Sequence, residues 1–240
     1  MYSKQALIFN NKNIDREIKG YTTINVDGRG LIAPNIETQS IVGRDGDIIL
    51  NTQHPPRDIV VYFMIKAPYN SIFIEKLKEL TELLHSNGDV PFSFGDEDGI
   101  RYGRVAEISD PPYDSNEGIG SFTIHCSDPY LYRNKAISTG AIPRVKYNKY
   151  SLDIVSITAT TASSTLNITN TTIGRKIILN NLSSNQKVVI TKNTITVNGQ
   201  NAMNKLDFVN SDYHEFKIYG GDTITTNGTN LKIEYRERIL

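Results

Sequence analysis

The sequence holds one cysteine, Cys126, no tryptophan and four histidines, and each shortage removes a class of chemistry. A lone thiol excludes an intrachain disulfide and any zinc cluster built on several cysteines, and it fits synthesis in the cytoplasm. His54, His85, His125 and His214 stand far apart and none belongs to a His-x-x-x-His or His-Glu-x-x-His unit, so they read as surface or packing residues and no metal site is expected. No Gly-x-Gly-x-x-Gly, Walker A or Gly-x-Ser-x-Gly pattern occurs. Gly28-Arg29-Gly30 and Gly220-Gly221 are short and strand-flanked and read as turns, so no cofactor is expected either. No apolar run is long enough to span a membrane. Ala6-Leu7-Ile8-Phe9 is too short for a secretory core and runs straight into Asn10-Asn11-Lys12-Asn13.

What is present suits an ordinary globular chain of 240 residues, 38% hydrophobic and 22% charged, long enough for one large domain or two modest ones. The zero net charge conceals an asymmetry. Residues 1–133 carry 13 Lys and Arg against 19 Asp and Glu, a balance of −6, and residues 134–240 carry 13 against 7, a balance of +6. The basic residues of the second part are scattered among Asn, Thr and Ser and form no dense run, so neither half reads as a nucleic-acid binder.

One stretch, Asn70 to Ser86, has a helical period. Phe73, Leu77, Leu80 and Leu84 recur at spacings of four, three and four and share a face, widened by Ile74 and Leu83, while Glu75, Lys78, Glu79 and Glu82 face water. Asn70 or Ser71 is the expected cap at its start and Asn87-Gly88 the expected end. Nearly everything else alternates like strand, so this helix is expected to pack on a sheet.

Lys4 to Asn10 opens with a short apolar run, and Tyr21 to Val26 reads as a strand ending at Asp27-Gly28. Leu31 to Ser40, with Pro34, reads as a loop. Gly43-Arg44-Asp45-Gly46 is a turn between Ile41-Val42 and Ile48-Ile49-Leu50, the pattern of a hairpin. Arg57 to Lys66 is the clearest strand, apolar, β-branched and aromatic. After the helix, Val90 to Phe94 and Ile100 to Ile108 form a hairpin, with Pro91 suiting an edge or a strand start. Ser109 to Gly120 is a long structureless stretch, a candidate for reaching a neighbouring subunit. Ser121 to Cys126 is a strand, and Asp128-Pro129-Tyr130 closes this part.

From about Asn134 the composition turns to Asn, Thr and Ser, and short strands alternate with turn residues: Ser151–Ala159, Thr165–Ile168, Lys176–Leu179, Lys187–Thr191, Thr194–Val197, Asp207–Val209, Glu215–Ile218, Asp222–Thr225 and Asn230–Arg236. Such spacing predicts an all-β sandwich. The division expected is residues 1–133, a linker at 134–148 containing Gly140 and Pro143, and residues 149–240.

The acidic turn Asp96-Glu97-Asp98-Gly99 offers paired carboxylates and resembles the middle of a calcium loop, but it lacks the remaining ligand positions and reads as a solvated hairpin tip. Cys126 and His125 are adjacent in a strand and point to opposite faces, which rules out a dyad. Asn167-Ile168-Thr169 and three similar acceptor triplets follow from the Asn- and Thr-rich composition. Tyrosines are numerous enough for a sugar-stacking platform, although tyrosine more often packs in sheets and interfaces.

The Gly43–Gly46 turn, the apolar strand Ile59–Ile65, the helix ending in Leu83-Leu84, Phe94 with Asp96-Glu97, the return strand with Tyr102 and the Asp128-Pro129-Tyr130 closure, in this order, resemble the distal tail proteins of siphophages that infect Gram-positive bacteria. That resemblance covers roughly residues 1–133. In the remainder, Val197-Asn198-Gly199, Tyr219-Gly220-Gly221-Asp222 and the strand Leu231–Arg236 are similar to the galectin-like second domain of the same family.

The resemblance implies a mainly β structural protein: an N-terminal β-sandwich with one helix and an extended hairpin, followed by a galectin-like β-sandwich. The family's first domain forms a hexameric ring at the end of the tail tube and its second domain projects outward. The ring joins the tube to a tail-tip or tail-associated lysin protein and serves baseplate and receptor-binding components at the virion tail tip. DNA passes through the lumen without specific binding, and an acidic first domain lining that lumen would repel phosphate. The residues singled out are structural: Phe73, Leu77, Leu80 and Leu84 of the helix, and Asp128, Pro129 and Tyr130.

Two other readings are set against the hub. One is a carbohydrate-binding module recognising host cell-wall glycans through the C-terminal domain, with Tyr219 or Tyr235 as stacking residues. The other is a carboxylate-dependent glycosidase using Asp96 or Glu97, for which the sequence shows no paired partner, so no enzymatic activity is expected.

Overall fold

The computed structural model describes residues 3–240, and the chain divides into one unit ending at Leu131 and another spanning Tyr132–Ile239. The strands of the first unit are β1 (Leu7–Phe9), β2 (Lys12–Asn13), β3 (Tyr21–Asp27), β4 (Asn35–Ser40), β5 (Asp47–Gln53), β6 (Arg57–Lys66), β7 (Val90–Phe94), β8 (Arg101–Ser109) and β9 (Glu117–Cys126). Its helices are α1 (Ile14–Glu17) and α2 (Asn70–Leu84). Seven strands form one sheet in the order β2-β1-β7-β8-β9-β6-β3, and β4 and β5 pair only with each other.

Strand β6 alternates in a way that decides its faces. Ile59, Val61, Phe63 and Ile65 are buried and the residues between them are exposed or half-buried, as a pleat of period two requires. Its antiparallel register with β9 runs unbroken from Arg57↔Cys126 to Lys66↔Glu117, which sets Phe122 and Ile124 beside Val61 and Ile59. The Phe63 ring lies 5.5 Å from Tyr21 and 5.8 Å from Phe122. Leu7 and Phe9 of β1 and Tyr21 and Val26 of β3, from near opposite ends of the strand order, enter the same core, so the single sheet closes over its own apolar face as a sandwich does.

Helix α2 buries Phe73, Leu77, Leu80 and Leu84 in this core. Its ends differ from expectation. The N-cap is Tyr69, with no side-chain cap, and the Asn70 amide instead donates to the carbonyls of Tyr113 and Ser115, both at 2.8 Å. The C-cap is His85 in an extended conformation, so the helix stops two residues early and needs no left-handed residue at Asn87-Gly88. A second, single-turn helix, α1, went unforeseen because four residues carry no period. Asn13 caps it by accepting from the Arg16 N–H, and its buried Asp15 is satisfied by the Thr23 N–H and hydroxyl at 3.0 and 2.7 Å.

Two further expectations are corrected. Residues 35–40 are strand β4 rather than loop, because register with β5 supplies backbone partners that the polar sequence Asn-Ile-Glu-Thr-Gln-Ser does not advertise. Strand β7 is interior, between β1 and β8, and Pro91 is tolerated there: it forgoes only a donor, while its carbonyl accepts the Asn10 N–H at 2.9 Å.

In the second unit, β10 (Leu131–Ser138), β11 (Asp153–Thr160), β14 (Lys187–Ile190), β15 (Ile195–Val197), β16 (Gln200–Asn201) and β18 (Thr229–Ile239) form one sheet in the order β10-β18-β11-β14-β15-β16. The other sheet is β12 (Leu166–Asn170), β13 (Arg175–Leu179) and β17 (Ile224–Thr226), ordered β13-β12-β17. Ile157, Ile190, Ile195 and Ile233 from the first sheet meet Leu166, Ile168, Ile177, Leu179 and Ile224 from the second in one core, a sandwich. Residues 207–209 are a turn held by Asp207, which accepts from the Asn210 N–H and amide, and 215–218 are not strand although Phe216 and Ile218 are buried. Residues 134–148 hold most of β10, a bridge from Ala141 to Thr223 and the core residue Ile142.

Leu80 is 4% exposed in the core that also holds Phe73, Leu77 and Leu84, and deleting its branched end leaves a cavity there. Leu80→Ala is expected to lower stability by about 2–5 kcal/mol, read from urea denaturation followed by circular dichroism. A loss under about 1 kcal/mol would show that the stripe is not core.

Candidate assembly surface

Strands β4 and β5 make a hairpin that finds no cover among the described residues of its own chain. All six residues of β4 are exposed, and of β5 only Ile48 is even half-buried. Register pairs Ile36 with Thr52 and Thr38 with Ile49, so Ile36 and Ile49 share a face at 54% and 61% exposure, and Leu50, at 55%, occupies the bulge between Asn51 and Ile49. Val42 is fully exposed at the turn. An isolated two-stranded ribbon is marginal in water, and its unpaired edges and apolar side chains are a template for another chain.

The root of this hairpin is held by arginines. Gly28 leaves β3 with φ +84°, and a Cβ there would come within 2.1 Å of the Asp58 carbonyl, so only glycine permits the chain to turn away so close to β6. The Arg57 Nη1 donates to the Gly28 and Gly30 carbonyls at 2.7 and 2.9 Å. Arg29 grips Asp96 through both nitrogens, at 2.6 and 3.1 Å, and lies 4.8 Å over the Phe94 ring. Glu97 pairs with Arg101. Two carboxylates of the acidic turn are thus engaged by guanidinium groups, while Asp96 and Asp98 keep the solvent exposure expected of a hairpin tip. The signal missed was long-range, since Arg29 is 67 residues from Asp96.

Asp128, Pro129 and Tyr130 form the exit from β9. The Asp128 carboxylate accepts the Tyr130 N–H at 3.1 Å and Pro129 is buried, a fixed turn that delivers the chain into β10. The structure does not gather these three residues with the helix stripe into one site. Of residues 109–120, expected as a structureless loop free to reach a neighbour, Ser109 belongs to β8 and Glu117–Gly120 to β9. Residues 110–116 between them are fastened by the Asn70 amide, by Ala67 N–H to the Asn116 carbonyl at 2.8 Å, and by Pro111 packed against Gly118 and Gly120, where a Cβ would come within 2.6 Å and 2.9 Å of the proline ring. The hairpin, not this loop, is the unpartnered element.

His125 faces outward to Asp58 at 2.7 Å while Cys126 is fully buried, its thiol pushed up to about 12 chiefly by desolvation. Among the described residues no three His, Cys, Asp or Glu side chains converge as metal ligands, and no helix is long and apolar enough to cross a membrane.

In the second unit, Val197-Asn198-Gly199 is a tight hairpin turn with φ +50° and +82° at its two central residues, joining β15 to β16. Asp222 is buried and accepts from the Asn170 amide at 2.7 Å and the Tyr219 N–H at 2.9 Å, so the Tyr219–Asp222 motif is a structural latch. Tyr235 is buried in the core and offers no ring face to a sugar. A cavity of about 300 Å³ opens over Ile157, Ile190 and Phe216, with Lys192, Lys217 and Arg238 among its lining residues.

Residues 17–125 match the family described as phage tail protein RIFT-related domain, and residues 150–238 match that described as siphovirus-type tail component, C-terminal domain. The chain is therefore a structural component of a phage tail. It belongs to the distal tail protein family of siphophages. Among solved structures it is similar to the SPP1 Dit (gp 19.1) protein, a paradigm of the hub adsorption apparatus in Gram-positive infecting phages, with TM-score 0.84 and 16% identity over 98% of this chain and 99% of that one. It is also similar to a chain of the phage P2 baseplate in its activated conformation with Ca, with TM-score 0.59 and 12% identity over 98% of each chain. No curated protein sequence matches.

The Arg29 hydrogen bonds hold the Asp96 carboxyl below the usual carboxylate range, against desolvation that acts the other way. A depressed folded value contributes stability that is present above the unfolded value of about 4 and is lost as pH falls through the folded one. Asp96→Asn is expected to melt below the parent chain at neutral pH, with the gap closing as pH falls below about 4. Thermal unfolding across that range checks this, and a pH-independent gap would show that the pair does not titrate with folding.

Proposed function

We propose that this chain is the ring-forming distal tail protein of a siphophage or prophage. Copies close into a six-fold ring at the tail tip, built by the unit that ends at Leu131. The ring connects the tail-tube protein to a tail-tip or tail-associated lysin protein, and residues 132–239 offer docking surface to baseplate or receptor-binding components. The observation that carries this reading is the β4–β5 hairpin: two strands with exposed Ile36, Ile49 and Leu50, both outer edges unpaired and uncovered among the described residues.

A head-to-tail contact of one surface on a different surface of the next copy closes into a ring when the rotation allows. An arm that is apolar, extended and already paired as a ribbon suits such a contact, since covering it removes apolar area from water without an ordering cost for the backbone. The −6 balance of residues 1–133 supports an acidic passage from which DNA phosphates are repelled rather than bound.

The alternative, carbohydrate recognition through the second unit, retains the cavity and the half-buried Tyr219 as support, since Tyr235 is buried. Negative-stain imaging with mass measurement, on the full chain alone and mixed with the tail-tube and tail-tip proteins of the same phage, is expected to show six-fold rings. The double replacement Ile49→Asp and Leu50→Asp is expected to abolish rings while changing monomer stability by no more than about 0.5 kcal/mol, as exposed positions allow. Monomers under every condition, or rings that survive the double replacement, overturn the reading; saturable glycan binding without rings favours the alternative.

A further inference from the structure

The inner face of the first unit is apolar along most of its length, but where β6, β8 and β9 run side by side it holds two arginines. Arg57 is 3% exposed and Arg101 4%. Arg57 stands opposite Cys126 in register. Gly103 of β8 adjoins the same residue, since a Cβ there would lie 3.2 Å from the Cys126 Sγ, and Arg101 is two positions earlier on the same face.

Charge and hydrogen bonding are not balanced at this place. Arg29 has Asp96 and Arg101 has Glu97, but Arg57 has no carboxylate and donates only through Nη1, to two neutral carbonyls. Asp58, its sequence neighbour, points to the outer face and pairs with His125. Among the described residues the Nε and Nη2 of Arg57 and the Nε of Arg101 are buried with no partner. A guanidinium does not lose its proton to escape burial as a lysine does. Leaving three donor nitrogens and a whole charge uncompensated is costly, and buried donors of this kind signal a water or an ion. Desolvation first and Arg101 second push the Arg57 guanidinium below its usual range, with Cys126 and Glu97 acting the other way.

We propose that Arg57 and Arg101 form a buried site for a small inorganic anion of the halide class, held by Nε and Nη2 of Arg57 and Nε of Arg101. A water supplies acceptors but leaves the charge of Arg57 standing; a halide supplies both. Because Nη1 of the same guanidinium holds Gly28 and Gly30, the anion braces the residues from which the β4–β5 hairpin departs. Its occupancy is therefore coupled to the stiffness of that root.

The test uses the full chain crystallised in sodium bromide, with anomalous diffraction at the bromine edge, and thermal unfolding in sodium chloride, bromide and gluconate at equal ionic strength. A bromine peak bridging the two guanidiniums is expected, with a midpoint about 2–4 °C higher in either halide than in gluconate. Arg57→Gln is expected to lose both the peak and the halide dependence. Should that variant not fold, diffraction from the parent chain decides alone. A water in place of a peak, or midpoints indifferent to the anion, overturns the site, and neither result bears on ring formation.

Discussion

The unbroken pairing of β6 with β9 is the constraint on which the first unit depends. Ten residues in register put Ile59, Val61, Phe63 and Ile65 of β6 on the face that also receives Phe122 and Ile124, and a slip of one residue would turn all four away from the core. The helix stripe, the Phe-rich strand β7 and the short strand β1 find their places against that face. The same pairing fixes where Arg57 lies, at the end of β6 opposite Cys126, and so fixes the point at which the chain leaves for the hairpin. Packing and assembly geometry thus share one origin.

The hairpin shows the opposite economy. Its residues make a ladder with each other and nothing more, and three large apolar side chains stay in water. A monomer gains nothing from this arrangement, because a free ribbon is marginal and its edges invite aggregation. A subunit of an assembly gains a preformed arm. The rigid root, made by the glycine at residue 28, the two carbonyls under Arg57 and the Arg29–Asp96 fork over Phe94, sets the direction in which that arm leaves.

The second unit is held together differently. Its polar composition gives short strands, and the turns between them are fixed by buried side-chain hydrogen bonds, such as Asn170 with Asp222, rather than by apolar runs. This is why residues 207–209 and 215–218 have the look of strands in the sequence yet are turn and coil. Their apolar residues alternate, but Asp207 and Asp212 capture nearby N–H groups that a ladder would have used.

By itself the sequence determined what local periodicity can carry: a mainly β chain, the stripe Phe73, Leu77, Leu80 and Leu84, the strand at residues 57–66, the turn at Gly43–Gly46, and an order of motifs belonging to siphophage distal tail proteins. Those signals lie within a few residues of one another, so a linear reading recovers them. The cap of α2, the strand β4, the anchoring of residues 110–116, the engagement of Asp96 and Glu97, and the burial of both Arg57 and Arg101 were decided only in three dimensions. Each depends on partners tens of residues away or on register across strands, and a carboxylate or guanidinium carries no mark in sequence of whether the fold will give it water, a counter-charge or neither.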